Sequence, residues 1–180
     1  MTETATKAFA TKVKTIIRDV PDFPKKGIVF KDITPLLADH KVFGEMVKHF
    51  SARFRKAGVT KVLGIEARGF LLAAPIALEL GAGLVPVRKK GKLPYKAVSA
   101  SYALEYGTDT LEMHADAVQP GEKVLIVDDV LATGGTAGAV CSMVEQLGGK
   151  VAGIAMLIEL EALNGRAKLA GRDVYSLIKY

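Results

Sequence analysis

Apolar residues recur along this chain in two rhythms. Over residues 4–19, Ala8, Phe9, Lys12, Val13, Ile16 and Ile17 fall near one side of a helical period, which predicts an amphipathic helix. Pro21-Asp22-Phe23-Pro24 then reads as an extended, turn-rich segment. A second helix is predicted over residues 41–56, where Val42, Phe43, Met46, Val47, Phe50 and Phe54 repeat at helical spacing as core positions. Short apolar runs at 61–65, 84–87, 123–127, 151–158 and 173–178 read as strands. Helical stretches at 69–80, 137–147 and 161–170 alternate with them. Such alternation implies an α/β fold, a mostly parallel sheet flanked by helices. Residues 88–116 interrupt the pattern as a long irregular or hairpin-like region, a length more typical of a lid or binding element than of a passive connection. No repeat, low-complexity tract or linker divides the chain, so residues 1–180 are expected to form one domain.

Composition narrows the class. A hydrophobic fraction of 49% with 24% charged residues suits a soluble globular protein. No apolar run is long enough to cross a membrane, and residues 1–10 lack the apolar core of a secretory leader; the expectation is a cytoplasmic protein without a membrane partner. The single Cys141 excludes an internal disulfide and, inside a helical run, reads as packing rather than as a nucleophile. Net charge is +6, with 17 Lys and Arg against 8 Asp and Glu in residues 1–90. The densest basic point is Arg88-Lys89-Lys90-Gly91-Lys92. Without an aromatic platform, zinc module or helix-turn-helix signature beside it, a polyanionic small substrate is expected there rather than nucleic acid. His40, His49 and His114 are scattered and show no zinc-ligand spacing.

The most specific chemistry lies in Val124-Leu125-Ile126-Val127-Asp128-Asp129-Val130-Leu131-Ala132-Thr133-Gly134-Gly135-Thr136. Four apolar residues predict a buried parallel strand, with two carboxylates expected where it ends and a small-residue loop before the next helix. Glycines there let backbone approach an anion, and the first N–H groups of the helix point at it. Phosphate alone would be repelled by Asp128 and Asp129. A phosphorylated sugar fits better: the loop holds phosphate while the carboxylates accept from ring hydroxyls, directly or through Mg²⁺. A plain Asp turn capped by Thr136 accounts for one Asp and one Thr only.

This motif resembles the phosphoribosyl pyrophosphate (PRPP) signature of type I phosphoribosyltransferases. Other segments are similar, in the same order, to the adenine-specific branch over about residues 20–170. Residues 22–33 resemble its purine-base segment, and Glu66-Ala67-Arg68-Gly69-Phe70 its pyrophosphate loop. Residues 88–94 and 101–107 resemble its mobile catalytic loop. The chain departs from that pattern at Lys31, where Arg is usual, and at Lys26, where Pro is common. Loss of the planar guanidinium changes any stacking or bidentate contact at the first position.

The resemblance implies transfer of the 5-phosphoribosyl group from PRPP to N9 of adenine, giving AMP and pyrophosphate, in purine salvage. It implies a homodimer, with the apolar stretch 70–80 as a candidate interface. About residues 1–35 would contribute a base-binding hood, with Val29 and Lys31 at the base. Arg68, Arg88 and Lys92 would meet pyrophosphate, Asp128 and Asp129 the ribose, and Ala132, Thr133, Gly134, Gly135 and Thr136 the 5-phosphate. Glu105 would be the general base and Tyr106 a cover for the closed site, both within a lid over residues 88–106 hinged near Gly91 and Gly107. Mg²⁺ is expected mainly through PRPP and water, with Asp128 or Asp129 as candidate protein contacts, and the peptide between Glu66 and Ala67 is expected to be cis. Alternatives are a relative specific for 6-oxopurines or xanthine, a non-catalytic PRPP-sensing regulator, and a flavodoxin-like nucleotide-binding module. The last explains neither carboxylate pair nor lid.

Overall fold

The computed structural model describes residues 2–103 and 108–180. Two compact units are distinguished, Met1–Lys48 and His49–Tyr180.

In the first unit, helix α1 (Glu3–Ile16) is capped by the Thr2 hydroxyl, which accepts from the Ala5 N–H. Val13 is its fully buried anchor. Strands β1 (Arg18–Pro21) and β2 (Val29–Asp32) follow as an antiparallel hairpin, with Asp19 opposite Lys31 and Pro21 opposite Val29. The turn-rich segment predicted at Pro21–Pro24 is the start of this hairpin's loop. There the Phe23–Pro24 bond is cis, Asp22 has a φ of 57°, and the Asp22 carboxylate accepts from the Gly27 N–H at 2.6 Å. A short helix α2 (Thr34–Ala38) precedes α3 (His40–Phe54).

The second unit is built on a seven-stranded sheet. Its strands are β3 (Lys61–Ile65), β4 (Gly83–Lys89), β5 (Ala97–Ala103), β6 (Thr108–His114), β7 (Lys123–Leu131), β8 (Lys150–Glu159) and β9 (Val174–Lys179). They lie in the order β5-β6-β4-β3-β7-β8-β9. The five strands from β4 to β9 in that order are parallel; β6 runs antiparallel to β4 and pairs with β5 as a hairpin. Parallel neighbours need crossover connections. Helix α4 (Arg68–Leu80) joins β3 to β4, and α5 (Gly135–Gln146) joins β7 to β8.

Strand alternation sorts the core onto two faces. Leu63, Ile65, Val85, Val87, Val124, Ile126, Ile154 and Met156 pack with Val140, Met143 and Val144 of α5. The intervening Gly64 faces α4, where an added Cβ would stand 2.8 Å from the Ala73 methyl. Gly153 meets the Phe54 ring in the same way. Helices therefore cover both faces, and the run 124–127 is apolar throughout because both faces of β7 are buried.

One sequence expectation is narrowed to its hairpin alternative and two change. The region 88–116 is ordered, over its described residues, as the end of β4 and the β5–β6 hairpin. The carboxylate pair does not mark the end of β7, which continues to Leu131 beside β8. The predicted helix at 161–170 is two short 3₁₀ turns, Glu161–Leu163 and Gly165–Leu169, broken at Asn164 by its φ of 48°.

Candidate active site

Counting only the parallel strands in chain order, the sheet reads 2-1-3-4-5, so strand order reverses between β3 and β7. Ligands of open α/β sheets bind at such a reversal, beyond the carboxyl ends of the strands. The two strands pair from Lys61 opposite Val124 to Gly64 opposite Val127. Beyond that point β3 turns into residues 66–68, while β7 runs on beside β8 before entering residues 132–136. Two segments far apart in sequence therefore start from adjacent strand ends.

The first segment carries Glu66 and Arg68. The Glu66–Ala67 peptide is cis, as the resemblance implied. Ala67 is the N-cap of α4 and provides no side-chain cap. The Glu66 carboxylate accepts from Arg88 Nε at 3.2 Å, Arg88 Nη2 at 3.4 Å and the Lys89 N–H at 2.9 Å. The Arg88 guanidinium and that N–H hold its pKa below the ordinary glutamate value. Arg88 is thus in β4 rather than in a loop, and its Nη1 donates to the Lys92 carbonyl at 3.4 Å. Lys92 is exposed on the tight turn after β4.

Arg68, the first residue of α4, sets its Nε 2.7 Å from Asp129 Oδ2. Asp129 is buried, with 5% of its surface exposed, while Arg68 is about a third exposed. Asp128 accepts the Asp129 N–H through Oδ1 at 2.9 Å. It also lies under the start of α4: a Cβ on Gly69 would stand 2.8 Å from Asp128 Oδ1 and 2.9 Å from the Val127 carbonyl oxygen. Gly69 is what allows that approach. Burial, joined by the Asp129 charge, raises the Asp128 pKa well above 3.8. Burial also raises that of Asp129, against the opposing pull of Arg68.

The second segment carries Ala132, Thr133, Gly134, Gly135 and Thr136 as one connection. Gly134, at φ 78°, is the N-cap of α5 and no side chain caps that end. Thr136 is the second helical residue and not the cap, so the plain Asp-turn reading fails. The opening N–H groups of α5 are left to a ligand or water.

The sheet thus brings together Arg68, Asp128, Asp129 and residues 132–136, with Glu66 joining Arg88 to the same end of β3. Val29 and Lys31 belong to the first unit's hairpin. Val29 is 48% exposed, and Lys31 Nζ is 2.7 Å from Asp19 Oδ1 across the strands. Glu105 and Tyr106 lie outside the described residues, as does Gly107. Among the described residues no three His, Cys, Asp or Glu side chains gather as a metal cage. His49 is buried against the Tyr175 hydroxyl at 2.5 Å, far along the chain from these loops. Sequence reasoning gave Glu66 no role of its own; its partners lie more than twenty residues away, and nothing local announces them.

A parallel α/β domain with a carboxylate pair and an uncapped glycine loop at the order reversal defines a binder of phosphorylated sugars. The phosphoribosyl transferase domain family matches residues 36–175. The adenine phosphoribosyltransferase of Acidothermus cellulolyticus is 57% identical over 163 residues, 91% of this chain and 92% of that one. A crystal structure of the adenine phosphoribosyltransferase of Thermoanaerobacter pseudethanolicus superimposes with a TM-score of 0.92 at 53% identity, covering 95% and 99% of the two chains. The Saccharomyces cerevisiae adenine phosphoribosyltransferase, solved with an iminoaltritol bisphosphate and adenine, gives 0.89 at 37% identity, covering 95% and 99%. The chain belongs to the phosphoribosyltransferase family.

Proposed function

We propose that the protein is an enzyme of purine salvage that transfers the 5-phosphoribosyl group of PRPP to N9 of adenine, yielding AMP and pyrophosphate. The observation that carries this reading is the meeting, at one strand-order reversal, of Arg68, the Asp128–Asp129 pair and the uncapped loop 132–136. Relatives named adenine phosphoribosyltransferase at 57% identity support adenine as the acceptor.

In the reaction the bond from C1′ to the pyrophosphate oxygen breaks, its electron pair leaving with pyrophosphate. The N9 lone pair forms the new bond to C1′, and the purine loses a proton. The centre passes through an oxocarbenium-like state of the kind met in glycoside chemistry. Loop residues 132–136 hold the 5-phosphate with backbone N–H groups. Asp128 and Asp129 accept from the ribose hydroxyls and fix C1′ toward the base. Arg68, Arg88 and Lys92 meet the charge that develops on the leaving group. Glu105 takes the purine proton. Val29 and Lys31, with the exposed Phe23 and Ile28 nearby in sequence, belong to a base-binding hood formed by about residues 1–35.

Two adjacent carboxylates without a third fit Mg²⁺ that arrives on PRPP and keeps water in its shell. Asp128 and Asp129 are the side chains that would reach it. When bound, the ion supplies positive charge to the pyrophosphate.

Residues 88–106 act as a lid that excludes water from C1′, with Tyr106 as cover. The enzyme works as a homodimer, a reading supported by the exposed Leu71 and Leu78 on one side of α4 and by Leu84 after it. No helix among the described residues is long and apolar enough to cross a membrane. A cytoplasmic setting is supported by the single, free Cys141.

AMP formation from adenine and PRPP should require Mg²⁺. Glu105→Gln should lower kcat much more than it raises the KM for adenine, since the proton moves only in the transition state. A near-normal kcat would remove Glu105 from the mechanism.

A further inference from the structure

The phosphate loop does not stand alone. It lies backbone against backbone on the 3₁₀ turn Gly165–Leu169. A Cβ on Gly134 would collide with the Gly165 carbonyl oxygen. A Cβ on Gly165 would collide with the Ala132 carbonyl oxygen and stand 2.8 Å from the Gly134 nitrogen. Both glycines are buried, and every atom that an added methyl would meet is main chain. Neither side can move aside by a rotamer change.

The turn is itself fixed from behind. Arg166 grips the buried Glu159 carboxylate at the end of β8 with Nε at 2.9 Å and Nη2 at 2.5 Å. Its Nη1 donates to the Val174 carbonyl of β9 at 2.7 Å. The guanidinium holds the Glu159 pKa below the ordinary glutamate value. Leu169 closes the turn in the core with 1% exposed, and the Leu160 N–H donates to the Leu131 carbonyl at 2.9 Å, where the loop begins. The turn therefore connects two strand ends to the loop's backbone, with Gly165 packed on both Ala132 and Gly134.

We propose that Gly165, held in place by the Arg166–Glu159 pair, is a positioning residue for the phosphate loop: it sets the backbone of residues 132–135 for the 5-phosphate of PRPP and AMP. Gly165 touches no substrate itself. Its effect is selective, because pyrophosphate is met by Arg68, Arg88 and Lys92 on other elements. The proposal rests on the functional reading above.

The reverse reaction separates the two anions, since AMP carries the 5-phosphate and pyrophosphate is a second substrate. In Gly165→Ala the methyl displaces the loop by on the order of 1 Å, a misplacement that costs a preorganised site heavily. The KM for AMP should rise about tenfold or more, while the KM for pyrophosphate stays within about twofold. In the forward direction the KM for PRPP should rise and that for adenine should not. Arg166→Lys keeps the charge and loses the fork. It should show the same split at about threefold, and it decides the matter if Gly165→Ala does not fold. General damage would instead lower the melting temperature and move both constants together. Equal changes in the AMP and pyrophosphate constants, or none, would overturn the proposal. A wild-type protein that turns over neither AMP nor PRPP would overturn the functional reading instead, a result distinct from either.

Discussion

Asp128→Asn should make the protein at once more stable and a poorer catalyst. The Asp128 carboxylate is pressed under Gly69 at the start of α4 and lies beside a second, buried carboxylate. Its pKa is raised, by burial first and by the Asp129 charge second. A carboxyl group whose folded pKa exceeds its unfolded value binds protons more tightly in the fold. Stability therefore falls as pH rises from the ordinary 3.8 through the folded pKa, and the full cost is present above it. Asn keeps the shape and the Oδ1 that accepts the Asp129 N–H, and removes only the charge. Removing a charge that burial and Asp129 disfavour should therefore stabilise the fold wherever Asp128 would be ionised. In a chain of this size each kcal/mol moves the melting temperature by about 2–4 °C, so the gain reads as a higher melting temperature. Loss of a charge-assisted acceptor for the ribose hydroxyls costs about 1.5–3 kcal/mol, or about 10- to 150-fold in kcat/KM for PRPP. Calorimetry at pH 5 and pH 8, with steady-state kinetics, measures both sides, and the stabilisation should be larger at pH 8. A variant less stable than wild type at pH 8 would refute the burial argument. Unchanged kcat/KM would separate Asp128 from the ribose.

Other expectations follow from the packing and the ion pairs. Gly153→Ala drives a methyl into the Phe54 ring and should cost about 1–3 kcal/mol in urea denaturation; a neutral effect would mean that α3 can shift. Cys141 is fully buried and its thiol pKa is pushed up to about 11, so an aromatic disulfide reagent at pH 8 should label it only after denaturation. The depressed Glu66 pKa adds stability that is present above 4.5 and lost as pH falls through the folded value. Glu66→Gln should remove that acid-dependent part, on the order of 1 kcal/mol given the partial exposure of both partners, and an unaltered acid limb would contradict the pairing with Arg88.

Much of the fold was legible because period and burial agree. The run 124–127 is apolar at every position since helices cover both faces of β7, and the alternation of β3 and α4 emerged within a residue of its observed bounds. The continuation of β7 through Asp128 and Asp129 was not legible. Two adjacent carboxylates read locally as a turn, and only pairing with β8 carries the strand past the point where β3 leaves it. The β1–β2 hairpin was hidden by its two prolines, because Pro21 sits at the end of an edge strand, where a missing N–H is harmless. Residues 161–170 have helical composition, yet the left-handed Asn164 breaks the run and frees Gly165 to approach the loop 132–136. The loop motif itself was plain in the sequence. Its supports were not, because Glu66 finds Arg88 and Gly134 finds Gly165 only through the sheet.

The most direct test is a panel of reactions containing PRPP and Mg²⁺ with adenine, hypoxanthine, guanine, xanthine or uracil, each followed for nucleoside monophosphate and pyrophosphate. AMP and pyrophosphate should form in equal amounts from adenine, with kcat/KM at least about a hundredfold lower for the other bases, as for a site that hydrogen-bonds one base and leaves its polar groups unpaired with another. Efficient product from hypoxanthine or guanine, or no AMP from adenine, would contradict it.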